Sequence, residues 1–183
     1  MSINRPALRK AIAIGVVLAL ILVLASQIQA AVMMRHLTFD NPQEDINSAR
    51  QMVTIVRWTN TALDMLVGML YAYVLFRENP MSNLGSGVLG AGIASLIVRA
   101  IGNTASFLVG PAITDVILWD GFNPRPPSLI AIILSDSFRS LSHSLGATMY
   151  VSLLAAIAGV VGSSIMMVVL KKLLHHMGIG TTP

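Results

Sequence analysis

Cysteine is absent from all 183 residues, which excludes disulfides, thiol catalysis and cysteine-ligated metal or iron–sulfur centres. Charge is scarce as well. Asp, Glu, Lys and Arg together make up 11% of the chain, where a soluble domain carries about a quarter. Only eight residues are acidic and aromatics stop at 5%. What fills the space is apolar: 55% of the residues are hydrophobic and the mean hydropathy is +0.74. Several apolar runs exceed the length a core helix needs, so the expectation is an all-α integral membrane protein forming one domain over residues 1–183. The net charge of +4 does not point to nucleic acid, because most basic residues flank apolar runs, where they set orientation and meet anionic headgroups.

The sequence predicts four spans, over about residues 11–34, 52–76, 84–109 and 145–170. Arg5, Arg9 and Lys10 precede the first, whose apolar character continues past Ala30 through Met34. A signal peptide cleaved after Ala30 is the competing reading, but the run has the length of a span rather than of a signal core. Asn41-Pro42 should open a turn or short helix, and Ser48 with Gln51 forms a capping box that would start the second span near Ala49. Trp58 at one end of that span, with Tyr71, Tyr73 and Phe76 at the other, suits two interfacial belts. Gly110-Pro111 is expected to stop the third span.

Residues 110–144 form an outer loop region in this reading. AITDVILW and LIAIIL are too short to span and are separated by the turn-forming DGFNPRPPS. They are expected as short interfacial helices, a re-entrant pair or a capping layer. Ser135 would cap a helix running into the last span. Six basic residues (Arg5, Arg9, Lys10, Arg77, Lys171, Lys172) and one acid, Glu78, fall on one side of the four spans. Arg35, Arg50, Arg125 and Arg139 fall on the other. That bias predicts a cytoplasmic membrane protein with both termini in the cytoplasm.

Three rows of small residues mark faces for close helix packing: Ala11, Gly15 and Ala19; Ser86, Gly90 and Ala94; Ala155, Gly159 and Ser163. The second span carries a different signal. Arg57, Asn60 and Asp64, spaced by three and four residues, share one helical face, with the carboxylate near the middle of the hydrocarbon. On insertion scales a central Asp opposes insertion by about 2.5–3.5 kcal/mol, whereas each Leu, Ile, Val or Phe favours it by about 0.3–0.6 kcal/mol. Arg57 is near the outer edge and can snorkel. Asp64 and Arg99 lie about 18 and 15 Å inward from the outer ends of their spans, at 1.5 Å per residue. In an antiparallel hairpin the two come level, with Asn60 and Asn103 one turn farther out. The expectation is an intramembrane polar seam of Asp64, Arg99, Asn60, Asn103 and Arg57.

Catalytic patterns are lacking. Ser140, Ser142, His143 and Ser144 follow Asp136, but adjacent helical residues do not face one another and no G-x-S-x-G elbow occurs. His175 and His176 are adjacent, a poor geometry for chelation on a helix, and the glycines from Gly85 to Gly92 have no phosphate-loop lysine. No enzyme activity, metal or cofactor is expected. The leading expectation is a non-catalytic multi-pass subunit or assembly partner, in contact with lipid and with other membrane subunits or further copies of itself. The alternative is a small transporter or channel component working through Asp64 and Arg99, since a lone intramembrane carboxylate is a typical relay or ion ligand.

Overall fold

The structure, a computed structural model, describes residues 3–36, 42–79, 84–118 and 129–176. All four segments are helical: α1 Arg5–His36, α2 Pro42–Glu78, α3 Leu84–Leu118 and α4 Leu129–His176. Each contains a stretch long and apolar enough to cross a membrane: Arg5–Val32, Val53–Glu78, Gly85–Gly110 and Thr148–Leu174.

The helices overrun those stretches, and three sequence expectations change accordingly. First, α2 begins at Pro42 rather than near Ala49, so Ser48 lies inside the helix and caps nothing. Proline suits the first helical position, where its missing N–H has no intrahelical partner to lose. Second, α3 does not stop at Gly110-Pro111 but continues to Leu118. Proline removes one bond from the ladder, a loss spanning helices tolerate when neighbouring helices and side chains take up the freed groups. Gln27 of α1 packs closely there, since a Cβ on Gly110 would lie 3.0 Å from its Oε1. Third, AITDVIL forms the last turns of α3, and LIAIIL forms the first turns of an unbroken 48-residue α4. No separate short helix lies between α3 and α4 among the described residues. Between Leu129 and Gly146 there is neither proline nor glycine to end the helix, so Ser135 sits in its interior. Asn41, DGFNPRPPS and the side chains of Asp136, Arg139, His143 and His175 lie outside the described residues.

The bundle is two triangles sharing an edge. The α2–α3 hairpin is central, α1 packs on one side of it and α4 on the other. Alanines and glycines allow the close approach. Ala7, Ala11, Ala19, Ala91 and Ala94 are buried with Leu63, Val67, Tyr71, Leu75 and Val98 in one core. All three small-residue rows face helices of this same chain. Gly15 admits Val98 and Val67, whose methyls would lie 2.8 and 2.9 Å from a Cβ there. Gly90 accepts the ring of Tyr71, and Gly159 seats against Ser95, Ala91 and Gly68. Ala155 is buried, and Ser163 donates to the carbonyl of Gly87 at 3.2 Å. Between helices in lipid, where no hydrophobic effect drives association, such tight backbone contacts and interhelical hydrogen bonds are the adhesion available.

The outer surface is the inverse of a soluble protein's. Ile21, Ile157 and Leu153 are 57–61% exposed, while Asp64, Ser95, Arg99, Ser152 and Ser163 are buried. At the end of the bundle holding Arg5, Arg9, Arg77, Lys171 and Lys172, an exposed Lys10–Glu78 ion pair at 2.8 Å links α1 to α2.

Candidate functional site

The polar interior is built around the α2–α3 hairpin. Asp64 lies eleven residues from Val53 at the start of its apolar stretch, and Arg99 eleven from Gly110 at the end of its own. Both are therefore about 16 Å from the same end of the bundle. Arg99 Nη2 donates to Asp64 Oδ2, and the residues are 7% and 3% exposed. One turn away on α3, Ser95 donates to the backbone carbonyl of Asp64 at 3.0 Å. This second bond pins the register of the two helices even without the charges. Removing two ions from water carries a large desolvation penalty that only close geometry and further hydrogen bonds offset. Here the offset is incomplete: Asp64 Oδ1 and Arg99 Nε are buried and have no hydrogen-bond partner among the described residues.

Outward from the pair, α1, α2 and α3 part around a cavity of about 110 Å³. Its polar lining is Ser26 and Gln27 from α1, Asn60 from α2, and Arg99, Asn103 and Ser106 from α3. Gln27 Nε2 donates to Ser106 Oγ at 2.7 Å, while Ser26 Oγ turns back to the carbonyl of Val23 at 2.9 Å. A smaller cavity of about 80 Å³ shares Ser26, Val56 and Asn60 and continues toward Gln29 and Thr59. Liquid water takes about 30 Å³ per molecule, so the larger space suits a few waters or one small solute. Asp64 is not part of the lining. Of the pair, Arg99 alone lines this cavity.

Inward from the pair the packing is mostly apolar, and the buried hydroxyls of Ser95 and Ser163 donate to main-chain carbonyls. Val67, Val98, Tyr71, Leu75, Ala91 and Ala94 close the hairpin against α1 and α4.

Of the residues the sequence places in a polar seam, Asp64 and Arg99 are in contact and Asn60 and Asn103 border the same cavity. Arg57 is exposed and lines neither cavity. It shares the helical face of Asp64 but sits two turns farther out, near the start of the apolar stretch at Val53. Ser95, Ser106 and Gln27 complete the arrangement and were not singled out in the sequence. Ser95 and Ser106 could have been: with Arg99 and Asn103 they recur at steps of four, four and three, a polar stripe along α3. Gln27 gives a weaker signal, as one of three polar residues in an otherwise apolar run.

Among the described residues no group of three or more His, Asp or Glu could hold a metal ion. Comparison with protein-family models, with curated proteins and with solved structures found no match to this chain.

Proposed function

We propose that this chain is a multi-pass protein of a cytoplasmic membrane and a small transport component, whose outer polar cavity leads a small solute or ion to the Asp64–Arg99 pair. The inverted surface supports the membrane placement: isoleucines, leucines and valines point outward while an ion pair and serines lie inside. The basic end, with Arg5, Arg9, Lys10, Arg77, Lys171 and Lys172, supports cytoplasmic termini by the excess of positive charge. The cavity carries the functional reading. A pair needed only to fix helix register would be best enclosed by apolar packing on every side. This one is closed on the inner side by Val67, Tyr71 and Ala94, while on the outer side Arg99 shares a cavity with five other polar side chains. Passage to the other side would require α2 and α3 to part at the Tyr71–Gly90 contact.

Reconstitution into liposomes is the test. Wild type is expected to support solute or ion flux, and Asp64→Asn, nearly isosteric with Asp, to lose most of it while keeping its helical content and monodispersity. A wild-type chain that is inert in liposomes would overturn the transport reading.

The second reading is a non-catalytic subunit of a larger membrane complex. The broad apolar face of α4 favours it, with Leu153, Ile157, Val161, Ile165, Val168 and Leu173 all exposed. The small-residue faces of Gly90, Ala94, Ala155, Gly159 and Ser163 do not, because this chain's own helices already occupy them. Isolation in mild detergent with a partner in fixed ratio would support the subunit reading.

A further inference from the structure

The lining of the cavity also bears on what it would bind. We propose that the cavity takes a small monovalent anion of about halide or nitrate size, which replaces Asp64 as the counterion of Arg99 while Asp64 takes up a proton. This rests on the transport reading and specifies its substrate class.

Three observations carry the inference. Among the described residues Arg99 is the only charged residue lining the cavity, and Asp64 is outside the lining. An incoming ion therefore meets positive charge first. Arg99 is 7% exposed and its Nε has no hydrogen-bond partner among the described residues, so a residue that lines the cavity carries an unsatisfied N–H donor. The amides of Asn60 and Asn103 and the hydroxyl of Ser106 offer further neutral hydrogen-bonding groups in the same space. The size of about 110 Å³ is well below the roughly 300–1,000 Å³ of pockets for larger organic ligands. Sugars and the larger amino acids exceed this volume.

Charge balance links the anion to a proton. With Arg99 and Asp64 both ionised, the site is neutral, and adding an anion would leave one uncompensated negative charge in a medium of low dielectric. A proton taken from water onto the carboxylate, whose Oδ1 is unpartnered, restores neutrality. No other group nearby can do this. α1 has no acidic or basic residue between Lys10 and Arg35, and α4 has none between His143 and Lys171. On α3, Arg99 is the only such residue between Leu84 and Asp115, and on α2 the others nearest are Arg57, which is exposed, and Arg77. Tyr71, two turns inward of Asp64, is fully buried.

The test is thermal unfolding of the purified full-length chain in detergent, with sodium chloride compared with sodium gluconate at equal ionic strength. Gluconate is too large for the cavity. Chloride is expected to raise the wild-type melting temperature, and to do so more at pH 5 than at pH 7.5. Uptake of one proton per anion makes the apparent chloride affinity fall about tenfold per pH unit where Asp64 is ionised. Asp64→Asn mimics the protonated carboxyl. Its melting temperature should rise more with chloride than that of wild type, and equally at both pH values. Arg99→Gln and Asn103→Leu should show no chloride-specific rise, or a much smaller one. An equal response in wild type and Arg99→Gln would overturn the proposal, as would a failure of chloride to stabilise Asp64→Asn. Replacing sodium by N-methylglucamine separates the two readings. If sodium rather than chloride stabilises the protein and liposomes show cation flux, the anion assignment falls and the transport reading stands. Absence of any flux would count against the transport reading itself.

Discussion

In chloride-free gluconate buffer, replacing either member of the buried pair alone by an apolar residue is expected to destabilise the protein by about 3–5 kcal/mol, and replacing both to restore most of that loss. Removing one partner leaves a buried charge with no counterion, whereas removing both abolishes the desolvation penalty along with the attraction. Asp64→Leu and Arg99→Met keep the side-chain volumes near their native values, so the cycle reports charge rather than cavity formation. The double variant keeps the Ser95 bond to the Asp64 backbone, because that bond uses a main-chain carbonyl. Unfolding of the four proteins in SDS titrations supplies the coupling energy, which for groups in direct contact commonly reaches 0.5–3 kcal/mol and should here lie at or above the top of that range. Additive single effects would show that the two charges do not stabilise each other.

A second large effect is expected where α2, α3 and α4 meet. A Cβ on Gly68 would lie 2.7–2.8 Å from the carbonyl carbon and Cα of Gly159, and closer still to its oxygen. No rotamer change relieves a clash with backbone, so α2 and α4 must separate. Overpacking in a core typically costs about 1–3 kcal/mol, and Gly68→Ala should fall at the top of that range or beyond it. Gly87→Ala is the matched control. Its Cβ would meet only side-chain atoms of Leu75 and Met167 at 3.6 Å or more, which is ordinary contact. Melting temperatures of the two variants in one detergent should differ clearly, with Gly87→Ala near wild type. Similar values would show that α2 and α4 do not approach at Gly68.

These contacts also indicate how far the sequence could be read. Four helices follow from hydropathy alone, because the hydrocarbon imposes a minimum apolar length that no core helix needs. The level of Asp64 with Arg99 follows from counting residues along two antiparallel helices of similar length. The ends of the helices were harder. Gly110-Pro111 looks like a stop, yet α3 passes through it to Leu118, because one missing N–H costs a single bond of the ladder and does not by itself end a long helix. LIAIIL looks like a separate piece because hydropathy measures apolarity and not continuity, while the 48-residue α4 has no breaker after Leu129 to divide it. Which helix meets which is not a property of any one segment. The small residues of Gly15, Gly90 and Gly159 announce close contact but not the partner. That α1 and α4 flank the hairpin on opposite sides depends on pairwise shape, which periodicity does not encode. Arg57 shows the limit of a helical wheel: it marks a direction around the axis, whereas depth decides whether a long side chain stays inside.

The absence of native cysteine makes a direct measurement of the cavity simple. A single cysteine placed at Asn103 or Ser106 should react in intact cells or oriented vesicles with a small, membrane-impermeant methanethiosulfonate reagent added on the side opposite the basic end. Ala94→Cys, buried inward of Arg99, should remain unlabelled from both sides. Labelling at positions 103 and 106 from the outer side alone is the result expected of a water-accessible cavity ending at Arg99. Protection of both positions from either side, or labelling only from the side of Lys10 and Lys171, would contradict it.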